Sequence, residues 1–200
     1  MTMVSWVGGP ARSTFAEPMP FPLPVPPAGW ERGVRRLGRT VTAFRDGSVE
    51  ALIGTRFSSL HPDREWIVVD LRLRALGGPR IAVAREDLSI ERADRSRLNL
   101  PGREEMAEQL SNLGRTLIAA SAVEDSLDLH LPPYLETDRI PFVTRSMLES
   151  IFLEPGRVAS GKLLFRAPRG RPIPAAYTFR VSSPGVDVRI PFRLPASDFP

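Results

Sequence analysis

The sequence predicts a mainly β fold, an immunoglobulin-like antiparallel β-sandwich, with one inserted amphipathic helix and an extended proline-rich N-terminal arm. Three observations carry this. Proline supplies 21 of 200 residues, about double the usual share of ~5%, and most prolines separate short apolar runs. Several of those runs alternate with period two, the spacing of a strand with one buried face. Only residues 103–123 carry a helical period. Hydrophobic residues make up 42% and charged residues 25%, a globular balance that argues for a packed core.

The chain divides into an arm, residues 1–30, and a sandwich domain, residues 31–200. Within the arm, Pro18-Met19-Pro20-Phe21-Pro22-Leu23-Pro24-Val25-Pro26-Pro27 alternates proline with an apolar residue, which enforces an extended, polyproline-like backbone. A solvated linker is normally polar, whereas Met19, Phe21, Leu23 and Val25 are not. A stiff apolar strip loses little entropy on docking, so it is read as an interaction segment, seated either on its own domain or on another chain. Arg32, Arg35, Arg36 and Arg39 follow directly and could meet an acidic partner or anionic lipid headgroups. The expected partner-binding residues are therefore Met19, Phe21, Leu23, Val25, Arg32, Arg35 and Arg36.

Along the domain, Arg39 to Arg45 alternates and stops at Asp46-Gly47, a hairpin turn signal, with residues 48–55 as the returning strand. Residues 65–74 form the strongest strand, although Trp66, Val68 and the leucines do not all fall on one face. Gly77-Gly78-Pro79 closes it, and short strands follow at 80–84 and 88–92. Met106, Leu110, Leu113 and Leu117 then recur at the spacing of one helical face, with Glu104, Glu105 and Glu108 at the positive end of the helix dipole. This predicts a single helix, weakened at Gly114, that caps an end of the sandwich. Leu127, Leu129 and Leu131 alternate as a strand would. Clearer strands follow at 161–166, 175–181 and 186–194, the last patterned as an outer strand.

Chemistry-bearing patterns are sparse. Cysteine is absent, which excludes disulfides, thiolate catalysis and cysteine metal sites. His61 and His130 are the only histidines, and neither has a second ligand at metal spacing. No Gly-x-Ser-x-Gly elbow is present, and Gly8-Gly9-Pro10 and Gly77-Gly78-Pro79 lack the continuation of a phosphate loop. Adjacent acids at Glu86-Asp87 and Glu124-Asp125 would point to opposite faces of a strand. No catalytic residue, metal or cofactor is expected, and the chain is read as non-enzymatic.

Lys162 is the only lysine among 27 basic residues, set against 23 acidic ones for a net charge of +4. That balance falls well short of the dense basic stripe of a dedicated nucleic-acid binder. A second basic cluster comprises Arg166, Arg169 and Arg171. The opening residues lack a basic and apolar leader pattern, and no run approaches the ~18 apolar residues of a bilayer span. The expected location is peripheral to a membrane complex, or periplasmic if a leader precedes the numbering.

The segment Leu153-Glu154-Pro155-Gly156-Arg157-Val158-Ala159-Ser160-Gly161-Lys162-Leu163-Leu164-Phe165-Arg166-Ala167-Pro168 resembles the late strand-turn-strand of bacterial telokin-like, immunoglobulin-like sandwich domains. Trp66-Ile67-Val68-Val69 and Glu86-Asp87-Leu88 look like that family's central strand and the strand after it. The resemblance spans residues 49–194. It implies a non-catalytic, exported or lipid-anchored protein, although this chain shows no lipobox cysteine. The expected function is a structural or interaction subunit docking onto a larger, membrane-associated protein assembly through its arm. The alternative is a small-ligand or carbohydrate-binding module using Trp30, Trp66 or Tyr134. A hydrolase would need two converging carboxylates.

Overall fold

A computed structural model describes residues 33–61, 65–123, 127–132, 135–140, 150–167 and 175–194. The strands are β1 (Gly33–Arg36), β2 (Val41–Arg45), β3 (Val49–Gly54), β4 (Trp66–Ala75), β5 (Ile81–Ala84), β6 (Leu88–Arg92), β7 (Arg97–Asn99), β8 (Glu136–Arg139), β9 (Ser150–Leu153), β10 (Arg157–Arg166), β11 (Ala175–Ser183) and β12 (Val186–Leu194). The helices are α1 (Arg56–Leu60), α2 (Arg103–Glu108) and α3 (Leu110–Ser121). A six-stranded sheet in the order β1-β2-β3-β4-β10-β8 packs on a four-stranded sheet in the order β12-β11-β6-β7, and β5 pairs with β9. This is the β-rich sandwich expected, with one departure: β8 runs parallel to β10.

The β2–β3 hairpin forms where Asp46-Gly47 predicts it. The Asp46 carboxylate accepts the N–H groups of Ser48 (2.7 Å) and Val49 (2.8 Å), so the turn's main-chain donors are satisfied locally. The β11–β12 hairpin closes over Pro184 and Gly185, and Gly185 has φ +85°, a backbone that favours a residue without Cβ.

The main core lies between the two sheets. Ile67, Val69, Leu71 and Leu73 of β4 and Leu163 and Phe165 of β10 meet Phe179, Val181, Val188 and Ile190 of the small sheet. β12 alternates buried and exposed residues along its whole length, as period-two reading requires. β4 does not alternate in its first half, because both of its faces are covered. Trp66 and Val68 point the other way, into a second cluster with Phe57, Leu164, Leu113 and Ala120. The large sheet is thus the middle layer of three. The expected end-capping helix instead lies across this outer face, and it breaks at Gln109 into α2 and α3, while Gly114 sits inside α3.

Two further differences have clear physical reasons. Residues 127–130 form a 3-10 turn, not a strand: Leu127 is buried against Val41, Ala43 and Leu52, whereas Leu129 is 82% exposed. The alternation of leucines would have required all of them to share one face. Residues 56–60, with no strong sequence signal, form α1 because β3 ends opposite Asp70, leaving Val68, paired with Leu164 on its other side, without a strand neighbour on the β3 side. The buried Ser58 hydroxyl takes that place, accepting the Val68 N–H (2.7 Å) and donating to its carbonyl (3.0 Å).

The late strand-turn-strand is present as β9, a turn and β10, with β9 paired to β5 and not to β10. A Cβ on Gly161 would lie 2.7 Å from the Ile140 Cβ and 3.2 Å from its carbonyl oxygen. Gly161→Ala is therefore expected to cost about 1–3 kcal/mol through overpacking, read as a lowered urea midpoint at unchanged slope.

Candidate functional site

The sequence places the expected partner-binding residues in the arm and just after it, and the first described strand, β1, lies at a sheet edge. Among the described strands β1 is the outermost of the large sheet and pairs only with β2, Val34 opposite Phe44 and Arg35 opposite Ala43. Residues opposite one another share a face. Phe44 packs against the main core and Ala43 against the outer cluster, so Val34 and Arg36 face the small sheet's side and Arg35 the helix side. The strand therefore separates Arg35 and Arg36 onto opposite faces. Both are exposed, and neither has an ion-pair partner among the described residues. Met19, Phe21, Leu23, Val25 and Arg32 lie outside the described residues.

β1 overhangs. β12 lies over β2 and β3, and β7 over β10, so the small sheet stops short of β1. Val34 is consequently 46% exposed although its side chain points toward the core side. Next to it runs the open edge of β12, which has no neighbour but β11 among the described strands.

The second basic cluster behaves differently. Arg166 bridges Glu65 at the start of β4 and Glu105 of α2, 3.1 Å from each; it ties layers together and is not a free cation. Arg169 and Arg171 lie outside the described residues. Of the aromatic candidates for ligand binding, Trp66 is 1% exposed and offers no surface; Trp30 and Tyr134 fall outside the described residues.

Absent from the sequence reading is a set of ion pairs on the outer face of the large sheet. β3 and β4 align Glu50 with Arg74, and the two form a salt bridge with side chains 3% and 13% exposed. β4 and β10 align Asp70 with Lys162, whose Nζ lies 2.5 Å from Oδ1. Arg72 reaches Asp128 of the 3-10 turn at 2.7 Å. The Arg72 guanidinium holds the Asp128 carboxyl below the usual carboxylate range by hydrogen bonding, with burial opposing.

The alternation of Asp70, Arg72 and Arg74 was visible along β4, but their partners are set by strand register. Each acid is matched to a base, an arrangement that pins register and attaches the covering layer. Among the described residues no group of three or more His, Cys, Asp or Glu could hold a metal ion. His61 lies against Phe57, ring centroids 4.8 Å apart and planes inclined by 47°, and His130 is exposed in the 3-10 turn. Glu86 and Asp87 sit in a 3-10 turn, not a strand, where Asp87 accepts the Ala84 N–H at 2.8 Å.

No family model matches the chain, and no curated protein matches it. The crystal structure of the yjhA protein from Bacillus subtilis is similar with a TM-score of 0.38 and 8% identity, covering 75% of this chain and 95% of that one. Among the described residues, no helix is long and apolar enough to cross a membrane.

Proposed function

We propose that the chain is a non-enzymatic interaction subunit that docks onto a larger protein assembly at a membrane surface through its N-terminal arm and the sheet edge the arm joins. The observation supporting this is the exposed β1 edge, where Arg35 and Arg36 have no ion-pair partner among the described residues, a few residues after the apolar proline strip in the sequence. An extended apolar segment supplies contact area at low entropic cost, and flanking arginines suit an acidic protein surface or anionic headgroups. The resemblance to telokin-like domains, commonly non-catalytic and exported or lipid-anchored, supports the same reading.

The test is to follow the full chain and a form lacking residues 1–30 through native-source capture and sizing, with the unfolding midpoint of each as a control. The full chain is expected in a large complex and the shortened one outside it, with midpoints alike. Two folded monomers running alone would overturn the reading.

A further inference from the structure

We propose that the outward face of the small sheet, at the end where the β6–β7 hairpin turns, is a second docking face that takes an acidic segment of a partner protein. This face is separate from the arm and does not depend on the arm's role. The inward side chains of the small sheet fill the main core, so Glu91 of β6, Arg97 of β7, Thr178 and Arg180 of β11 and Arg193 of β12 turn outward by strand alternation. Register gathers them at one end. Glu91 lies opposite both Arg97 and Thr178, and Thr178 lies opposite Pro191, two residues before Arg193.

The acids here are occupied by neighbours. Glu91 accepts from the Arg180 guanidinium at 2.9 Å, and Asp187 lies 3.1 Å from Arg189 and 3.9 Å from Arg180. At the hairpin tip, Asp94 accepts the N–H and the hydroxyl of Ser96 and lies 3.0 Å from Arg92. Arg95, Arg97 and Arg193 are exposed and have no ion-pair partner among the described residues. Three guanidiniums are thus left to an outside acid.

Arg95 carries an independent mark. Its N–H bonds the Arg92 carbonyl, and the Arg92 N–H bonds the Ser96 carbonyl, both at 2.9 Å; this is the three-residue hairpin loop whose last position is left-handed. Arg95 holds that position with φ 66°, the one positive φ of a non-glycine residue among the described residues. Glycine would fit there without strain, so the fold keeps an arginine side chain at the tip at its own expense. Strain of this kind gathers where a chain meets its ligand.

The chemistry selects the partner. A guanidinium fork pairs with a carboxylate through two parallel hydrogen bonds. Arg97 and Arg193 stand three strand gaps and two residues apart, about 16 Å, a span that about five residues of extended acidic chain cover. A lipid surface fits less well: the exposed large hydrophobic residues among those described are Val34, Leu60, Ile118, Leu129 and Phe152, and none lies on this face to enter a headgroup layer. Nucleic acid also fits less well, because Glu91, Asp94 and Asp187 interrupt the continuous basic stripe it needs.

Titration of the full chain with a synthetic polyglutamate peptide at low salt, followed by backbone amide chemical shifts, tests this. The peptide is expected to shift Glu91, Arg97 and Thr178. Arg97→Gln/Arg193→Gln is expected to weaken binding about fivefold or more, whereas Arg35→Gln/Arg36→Gln, with the same loss of charge, changes it by less than about twofold. Arg95→Gly is expected to weaken binding about twofold while raising the thermal midpoint by about 1–3 °C, opposite signs that a purely structural residue would not give. No binding, or equal weakening by the two double variants, would overturn the proposal, the second by reducing the effect to net charge. Tighter binding to phosphatidylcholine vesicles containing phosphatidylserine, or to a DNA duplex, abolished by Arg97→Gln/Arg193→Gln, would overturn it in favour of a lipid or nucleic-acid partner.

Discussion

Glu50→Ala is expected to destabilise the domain by about 3–5 kcal/mol, the cost of leaving a buried charge without its partner. Glu50 is the most deeply buried acid of the outer-face ion pairs, and the Arg74 side chain it neutralises is only 13% exposed. Arg45 lies directly across from Glu50 on β2, so the deletion leaves two cationic residues flanking an empty position. A loss of that size is a third or more of the ~5–15 kcal/mol that holds a typical domain together. The pair itself is a weak source of stability, because desolvating both ions offsets most of their attraction. The double variant Glu50→Leu/Arg74→Leu is therefore expected to recover most of the loss. Denaturant unfolding of the two variants checks this. If Glu50→Ala costs under 1 kcal/mol, or the double variant is as unstable as the single one, the buried-charge account of this face is wrong.

That pair also shows where sequence reading runs out. Strands with one covered face were legible: β12 alternates cleanly, and Asp46-Gly47 marked the β2–β3 turn. β4 was legible as a strand but not in its facing, because Trp66 and Val68 pack under α3 while Ile67 and Val69 pack on the small sheet, and double burial erases alternation. The three-leucine alternation at 127–131 imitated a strand, yet a 3-10 turn satisfies Leu127 and turns Leu129 outward. The helix was visible from its spacing, but the break at Gln109 carries no glycine or proline. Arg35 and Arg36, expected from the sequence as contact residues, are exposed on β1. The overhang of β1 beyond β12 depends on how two sheets stack, a long-range relation that local pattern does not encode. The same holds for the partners of Asp70 and Arg74, which lie 92 and 24 residues away.

The three-layer arrangement makes a second large prediction. Trp66 is the largest side chain of the outer cluster, and with Phe57, Val68 and Leu164 it forms the floor on which Leu113 and Ala120 of α3 rest. Trp66→Ala removes an entire indole from a site 1% exposed, and is expected to cost about 3–5 kcal/mol. Because the indole belongs to the outer cluster and not to the core between the sheets, α3 should feel the loss first: its amides are expected to lose exchange protection before those of β11. The indole N–H finds no acceptor among the described residues, and an unpaired buried donor carries a desolvation cost of ~1–3 kcal/mol. Trp66→Phe removes that donor together with some volume, so the two effects oppose each other and the net change is expected to stay below about 1 kcal/mol. The comparison separates packing from polarity. A large loss in both variants would mean that the ring's full volume is indispensable, whereas a small loss in both would mean that α3 contributes little to the stability of the sheet beneath it.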